Sequence, residues 1–409
     1  MEERGLIHRN RNRAKASLSY YICIAYVVSI LLFNLSNHFI PHVLFLLWIV
    51  SVVVFDGKSL DFILSKKYYL ALYIFLLYYF LSSLFAFPFG TCVNRVYTTV
   101  ELISPFIMYE LYRSYDIKKK RVLCFVFIGV YAINFYQMLT TINYSAVAGL
   151  RQHEDEEGFL NTGFHFIYSL TLVLTLLIYV IRMNYRDSKR LLLVVLAIWL
   201  LSIILIVFKS LYTTAILLMG IGAVIALFYG RKHWKRRLII ASVVLAALFV
   251  YVTPYLERNL LSADSEYAIL TYRFEEISSV LSGGDMNSEG SGGARFNRTL
   301  NSLNTFISHP LFGVNHKTND VTLFEGNVIG NHAEWVDSLA KYGIFALLLF
   351  YFLVKSAKQV SSNRGVSVVF ILFIVIGFLN QVLFCVQNTV CFFIIPMFYD
   401  VLISKRAQQ

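Results

Sequence analysis

Long apolar stretches separated by short polar or basic connections follow one another along the whole chain. A helix that crosses a bilayer needs about 20 mostly apolar residues, and twelve segments approach that length. They are 18–36, 40–55, 68–87, 94–112, 122–141, 163–182, 191–208, 212–229, 237–254, 333–354, 366–385 and 388–404. The pattern therefore predicts an all-α polytopic membrane protein with about twelve transmembrane helices.

Composition supports this prediction. Hydrophobic residues make up 58% of the chain and charged residues 15%, whereas soluble domains average about 45–50% and about 25%. A soluble fold could not bury that much apolar surface. The five cysteines lie mostly inside apolar runs without regular spacing, so they are expected to pack as small hydrophobic residues and to form neither disulfides nor a zinc site.

The positive charges predict the orientation. Most of the 36 Lys and Arg residues fall before the first predicted span, after the last, or in every second connection. Because basic residues favour the cytoplasmic side, we expect an inner-membrane protein with both termini in the cytoplasm. The formal charge of +12 is then a topology signal, and no nucleic-acid partner is expected. The basic residues left on the outer side are Arg95, Arg151, Lys209, Arg258, Arg273, Arg295, Arg298, Lys317 and Lys341.

The chain divides at one large polar segment. Residues 1–254 are expected to form an N-terminal membrane bundle of about nine spans, 255–332 a large outer loop, and 333–409 a C-terminal bundle of about three spans. The loop has two amphipathic helical patterns separated by a glycine-rich tract at 283–293, which predicts a flexible connection. The two helices could pack on each other or lie on the membrane surface.

The densest group of ionisable residues lies where this loop re-enters the membrane. His332, Glu334, Asp337 and Lys341 fall within 14 residues, 330–343. Charged groups are costly at that depth unless they line a wet cavity, and histidine suits proton transfer near neutral pH. The alternative is an ordinary interfacial helix start with Asn331 as its N-cap and Glu334 in its first turn.

The outer basic residues are candidate binders of phosphate. Arg273, Arg295 and Arg298 share the large loop, and arginine binds phosphate or pyrophosphate through two parallel hydrogen bonds. Solvated or headgroup-facing positions are the alternative for each of them. The same alternative holds for Lys209, in a hairpin between two spans, and Arg151, in the first long outer loop, is a further basic residue on that side.

Several common site patterns are absent from the sequence. It has no Gly-rich phosphate loop and no Ser-His-Asp pattern, and the spacing of His309, His316, Asp320 and His332 does not match a metal site. We therefore expect neither a metal nor a cofactor.

The run from Arg295 to Gly343 resembles the O-antigen ligase and Wzy polymerase superfamily of bacterial surface-polysaccharide assembly. An arginine and a helix precede His-Pro-Leu-Phe-Gly at 309–313, and His332 is followed by an apolar helix with Gly343. His332 and Gly343 keep the spacing of the ligases, while Ala333 and Ala346 depart from their pattern. The form of the motif is more similar to capsular and O-antigen repeat-unit polymerases.

The resemblance implies a GT-C-like membrane glycosyltransferase without a metal, acting at the outer face of the membrane. Its substrate would be a glycan linked to undecaprenyl pyrophosphate. His332, Arg295 and Arg273 would be catalytic, while Arg298, Lys209, Arg151, Glu334 and Asp337 would bind substrate. A flippase and a chain-length regulator are the expected partners, besides membrane lipid.

Two other functions remain open from the sequence. An O-antigen ligase would perform the same chemistry on another acceptor. A lipid-linked oligosaccharide flippase would instead need charged residues within its spans, and Glu101 is almost alone there.

Overall fold

The computed structural model describes residues 18–32, 39–85, 87–141, 164–184, 190–210, 213–241, 243–244, 291–314, 329–360, 364–383 and 386–403. The labelled helices in these ranges are α1 (Leu18–Leu32), α2 (Phe39–Leu64), α3 (Lys67–Leu84), α4 (Phe89–Tyr112), α5 (Ile117–Thr141), α6 (Phe164–Asn184), α7 (Arg190–Lys209), α8 (Thr213–Phe228), α9 (Ser291–Ser308), α10 (Glu334–Tyr342), α11 (Ala346–Val360), α12 (Arg364–Leu379) and α13 (Val386–Ile403). Residues 234–241 and 243–244 are also helical. A single 3₁₀ turn, Gly343–Phe345, joins α10 to α11.

The described part of the chain is all-helical, as the apolar pattern predicts. Four helical stretches are long and apolar enough to cross a membrane: Phe39–Leu64, Lys67–Leu84, Phe166–Met183 and Glu334–Val360. Five shorter apolar helices accompany them, namely α1 and the core segments of α7, α8, α12 and α13. These helices are consistent with a membrane protein, while the multi-pass topology and the number of twelve spans stay predictions.

Helix α2 extends past its predicted end, and helix α9 begins inside a tract predicted to be flexible. The second predicted span ends at 55, and a kink lies at Asp56, whose φ of −120° and ψ of 17° are not helical. Beyond the kink, however, α2 continues to Leu64. Helix α9 begins at Ser291, so residues 291–293 of the tract predicted to be flexible form its first turn. The amphipathic pattern predicted before that tract lies outside the described residues.

The last helix lies at the centre of the bundle. Helix α13 packs against α4, α5 and α6, and α6 in turn packs against α7, α8 and α12. Near the end of α13, an ion pair between Lys120 Nζ and Asp400 Oδ2 at 2.6 Å joins α5 to α13. On the other flank α3 packs against α4 and α11. This arrangement carries α11, and with it the segment that precedes it, against the N-terminal helices.

The charged residue expected inside a span is engaged by its neighbours. Glu101 of α4 is buried and accepts a hydrogen bond of 3.0 Å from the Tyr26 hydroxyl. The imidazole Nδ1 of His42 lies 3.5 Å from the second oxygen of the same carboxylate. Three helices, α1, α2 and α4, thus meet at one carboxylate, which accounts for a costly group at this depth.

Candidate active site

Helix α9, from the predicted outer loop, lies against α10, the helix at the predicted membrane re-entry. Small polar side chains make this possible, since Ser302 and Thr305 of α9 are fully buried while Leu303 and Ile307 remain exposed. The interface therefore uses the face opposite to the apolar stripe seen in the sequence. Small side chains let two helices approach closely, so α9 brings its arginines toward the start of α10.

A hydrogen-bond network around Asp337 fixes this arrangement. The Ser302 hydroxyl donates to Asp337 Oδ1 at 2.5 Å and accepts from the Gly330 N–H at 2.8 Å. The second oxygen, Oδ2, accepts the Ala333 N–H at 2.9 Å, and the carboxylate also accepts the backbone N–H of His332. Asp337 is 1% exposed. One buried carboxylate therefore holds both α9 and the backbone on either side of the histidine ring.

The turn before α10 approaches the backbone of α9 very closely. A Cβ atom at Gly330 would lie 2.2 Å from the carbonyl oxygen of Arg298, so only glycine fits there. Asn331 follows with a φ of +54°, a left-handed conformation that asparagine tolerates better than most residues. The helix begins at Glu334, after Ala333. The alternative that Asn331 is the N-cap is therefore wrong.

The result of this packing is a direct contact between His332 and Arg298. Arg298 Nη1 lies 2.6 Å from His332 Nε2. Because a guanidinium group can only donate, Nε2 must be the acceptor and the ring must be neutral, with its proton on Nδ1. Arg298 is exposed and His332 is partly exposed, so both can meet a ligand from outside.

Backbone hydrogen bonds join the far ends of α9 and α10, and two glycines allow the close approach. The N–H of Val314 donates to the Ala340 carbonyl at 3.0 Å, and the N–H of Ile344 donates to the Pro310 carbonyl at 2.8 Å. Gly313 and Gly343 have φ values of +63° and +56°. The His-Pro-Leu-Phe-Gly motif and the glycine after α10 are thus two halves of one structural junction.

Residues at the start of α10 anchor it to α12. One oxygen of the Glu334 carboxylate, Oε2, accepts the N–H groups of Val382 and Leu383 at 3.2 and 3.0 Å, just past the end of α12. The Trp335 indole donates to the Ile374 carbonyl at 2.7 Å. A Cβ atom at Gly377 would lie 2.2 Å from the indole, so a glycine in α12 makes room for it.

An arginine that sequence reasoning left without a role supports the other end of α10. Tyr342 makes edge contacts with Phe75 and Tyr79 of α3, at centroid distances of 5.2 and 5.3 Å. Arg95 of α4 donates to the Tyr79 hydroxyl at 3.0 Å and covers the Phe87 ring at 4.5 Å. Its predicted position on the outer side is the signal that the sequence offers, and the structure shows its side chain packed against aromatic rings.

The other predicted site residues are placed less completely. The backbone of Arg295 lies in α9 and that of Lys209 ends α7, while neither side chain is described. Arg151, Arg273, His316 and Asp320 lie outside the described residues. Within the ranges given above, three or more His, Cys, Asp or Glu side chains do not converge as a metal site would require.

The segment that contains Arg298 and His332 matches a known family model. The model of the O-antigen ligase family, Wzy_C, matches residues 210–351. Residues 210–351 are thus similar to the O-antigen ligase family. The matched segment runs from α8 into α11 and contains both Arg298 and His332. The resemblance drawn from the sequence is confirmed, and it indicates a ligase- or polymerase-type activity of a membrane glycosyltransferase-like enzyme. No curated protein is significantly similar to the chain.

Proposed function

We propose that the protein is a polymerase that joins oligosaccharide repeat units carried on undecaprenyl pyrophosphate at the outer face of the cytoplasmic membrane. The observation that carries the proposal is the contact of Arg298 with His332 at 2.6 Å inside the segment matched by the O-antigen ligase family. A proton acceptor and an anion binder side by side are what this transfer needs. The lipid-linked donor is the expected substrate of such a membrane-embedded family.

The chemistry assigns one task to each side chain. An acceptor sugar hydroxyl attacks the anomeric carbon of the donor sugar while the bond from that carbon to the pyrophosphate oxygen breaks. The hydroxyl proton passes to His332 Nε2, which makes the oxygen a better nucleophile. Arg298 meets the negative charge that develops on the leaving pyrophosphate. The products are a lengthened glycan and the lipid pyrophosphate.

Further arginines are proposed to complete the anion site. Arg295 precedes Arg298 by three residues on α9, and residues at this spacing share one helix face. We assign Arg295 and Arg273 to the donor pyrophosphate, and Lys209 and Arg151 to the remaining substrate contacts. The carboxylates of Glu334 and Asp337 accept hydrogen bonds from the protein, which favours positioning over the substrate contact predicted for them.

An apolar groove next to the glycine junction, at the other end of α9 and α10 from the Arg298–His332 pair, supports a lipid-linked donor. It has a volume of about 580 Å³ and is lined mainly by Leu77, Tyr78 and Leu81 of α3 and by Phe312 and Phe345 next to the glycine junction. An isoprenoid chain would bury apolar surface there. A flippase is less well supported, because Glu101 is already engaged by Tyr26 and His42.

The second candidate is an O-antigen ligase that transfers a finished polysaccharide to a lipid or wall acceptor, and the description of the matched family favours it. The two share the proposed chemistry and differ in the acceptor. Purified protein in lipid nanodiscs, given a lipid-linked repeat unit as the only sugar substrate, separates them. A ladder of lengthened glycans supports the polymerase. A single transfer that appears only with an added acceptor supports the ligase.

The same assay tests the residues. His332→Gln keeps a hydrogen-bonding side chain without the base and should lower turnover by about 10²–10⁴-fold. Arg298→Lys keeps the charge and loses the paired N–H geometry, so it should lower turnover as well. Asn331→Gly is the matched control, because it alters the same turn and glycine accepts the φ of +54°. Near-normal turnover by His332→Gln would refute the proposed base.

A further inference from the structure

The atom of His332 that must take the proton is already occupied. Nε2 accepts from Arg298 Nη1 at 2.6 Å, and a nitrogen whose lone pair holds an N–H bond cannot at the same time accept a hydroxyl proton. In the described structure the proposed base is therefore masked by the cation beside it. Because Arg298 both covers the base and can bind an anion, the order in which donor and acceptor bind becomes important.

The guanidinium group has a better partner than a neutral imidazole. Arginine binds phosphate oxygens through parallel charge-assisted hydrogen bonds, which are stronger than a bond to an uncharged acceptor. A pyrophosphate placed near α9 would therefore compete for Arg298. Once the guanidinium turns to the pyrophosphate, Nε2 of His332 no longer accepts from Arg298 and can accept a hydroxyl proton.

We propose that binding of the donor pyrophosphate draws Arg298 away from His332 and thereby unmasks the base, so that the acceptor is activated only after the donor is bound. This inference rests on the proposed function. It also gives a reason for the order, since a base free before the donor arrives could bind a proton from solvent or activate water.

The backbone around the pair is suited to a movement of side chains alone. The His332 backbone is held by Asp337, and Asp337 is tied to α9 through Ser302 at 2.5 Å. The other ends of both helices are joined at Pro310 and Ile344. Arg298, in contrast, is exposed, and exposed side chains change rotamer within picoseconds to nanoseconds. Only the guanidinium has to move.

The test measures how fast the imidazole of His332 reacts with an acylating reagent. Diethyl pyrocarbonate acylates an unprotonated imidazole nitrogen, and peptide mass spectrometry reads the rate at each histidine. The full-length protein in nanodiscs is labelled with and without inorganic pyrophosphate, and the exposed His309 serves as the internal reference. We expect slow labelling of His332 that rises several-fold with pyrophosphate, while the rate at His309 stays constant.

Variants of Arg298 make the result decisive. Arg298→Gln should label rapidly at His332 without pyrophosphate and should not respond to it. Arg298→Lys keeps the charge and is the control for a folding defect in Arg298→Gln. In Arg298→Lys, the labelling rate of His332 should rise only weakly with pyrophosphate. A His332 rate that is unchanged or lowered by pyrophosphate in the wild type would overturn the proposal, because the base would then stay covered.

The outcome is separable from that of the proposed function. Labelling reports the Arg298–His332 contact without any turnover, so unmasking by pyrophosphate could be observed even if no lipid-linked glycan were extended. A polymerase that makes a normal ladder, yet whose His332 labels rapidly without pyrophosphate, would keep the proposed function and lose this inference.

Discussion

The glycine junction between α9 and α10 allows a quantitative test of how the site is held. A Cβ atom at Gly313 would lie 2.4 Å from the Lys341 carbonyl oxygen, whereas ordinary contact begins at 3.4 Å. The difference means that Gly313→Ala must separate the two segments by roughly 1 Å, which is 3.4 minus 2.4 Å. That separation opposes the backbone bonds of Val314 to Ala340 and of Ile344 to Pro310.

The chain offers a control for the backbone strain itself. Gly230 has a φ of +77° and has nothing within 4 Å of its Cβ position. Alanine at a positive φ costs about 1–3 kcal/mol at either site. Two backbone hydrogen bonds contribute about 0.5–1.5 kcal/mol each, so Gly313→Ala should destabilise by about 1–3 kcal/mol more than Gly230→Ala.

Thermal unfolding in detergent and turnover in nanodiscs measure the two consequences. Gly313→Ala should unfold at a lower temperature than Gly230→Ala. A misplacement of roughly 1 Å at a catalytic pair can cost up to about 10²-fold in rate, so its turnover should fall while that of Gly230→Ala stays close to wild type. Equal stability and turnover of the two variants would refute the junction as the element that positions Arg298 on His332.

Three further predictions concern anchoring and topology. Glu334→Ala leaves two N–H groups without their acceptor and should lower the unfolding temperature more than Glu334→Gln, which keeps one oxygen; equal shifts would contradict this. Gly377→Ala should displace the Trp335 indole, seen as a change in tryptophan fluorescence, and an unchanged spectrum would count against that contact. Cysteines at Ser291 and Ser361 should react with an impermeant thiol reagent from outside and inside respectively, and the reverse pattern would overturn the predicted orientation.

The helical architecture was largely predictable because apolar length is a strong signal. Eleven of the twelve predicted spans coincide with described helices, and the ninth, 237–254, overlaps helical residues up to 244 with a gap at 242. The end of α2 was not predictable in the same way. Residues after Asp56 are more polar than a span requires, yet they continue as helix beyond the kink. Apolar composition predicts where a helix can cross a bilayer. It does not predict where a helix continues into a more polar stretch, as α2 does between Asp56 and Leu64.

The site was predictable only in part. His332 and the three arginines of the large loop were candidates from the sequence, because charge type and location are visible there. The pairing with Arg298 depends on how α9 is rotated about its axis. The apolar stripe of Leu303 and Ile307 does not reveal this rotation, since the face buried against α10 is the one that carries Ser302. Small polar side chains are a weak signal in sequence and an effective one in close helix packing.

The central position of α13 has a consequence for the order in which the protein is made. Helices α4, α5 and α6 leave the ribosome long before their shared neighbour, since synthesis proceeds from the N-terminus. Until α13 is inserted, Lys120 lacks Asp400, the partner that lies 2.6 Å away in the finished protein. During synthesis, the faces of α4, α5 and α6 that α13 will cover therefore remain without their partner helix. A protein truncated before Val386 would lack α13, and the faces of α4, α5 and α6 that α13 covers would stay exposed. We expect such a protein to be degraded.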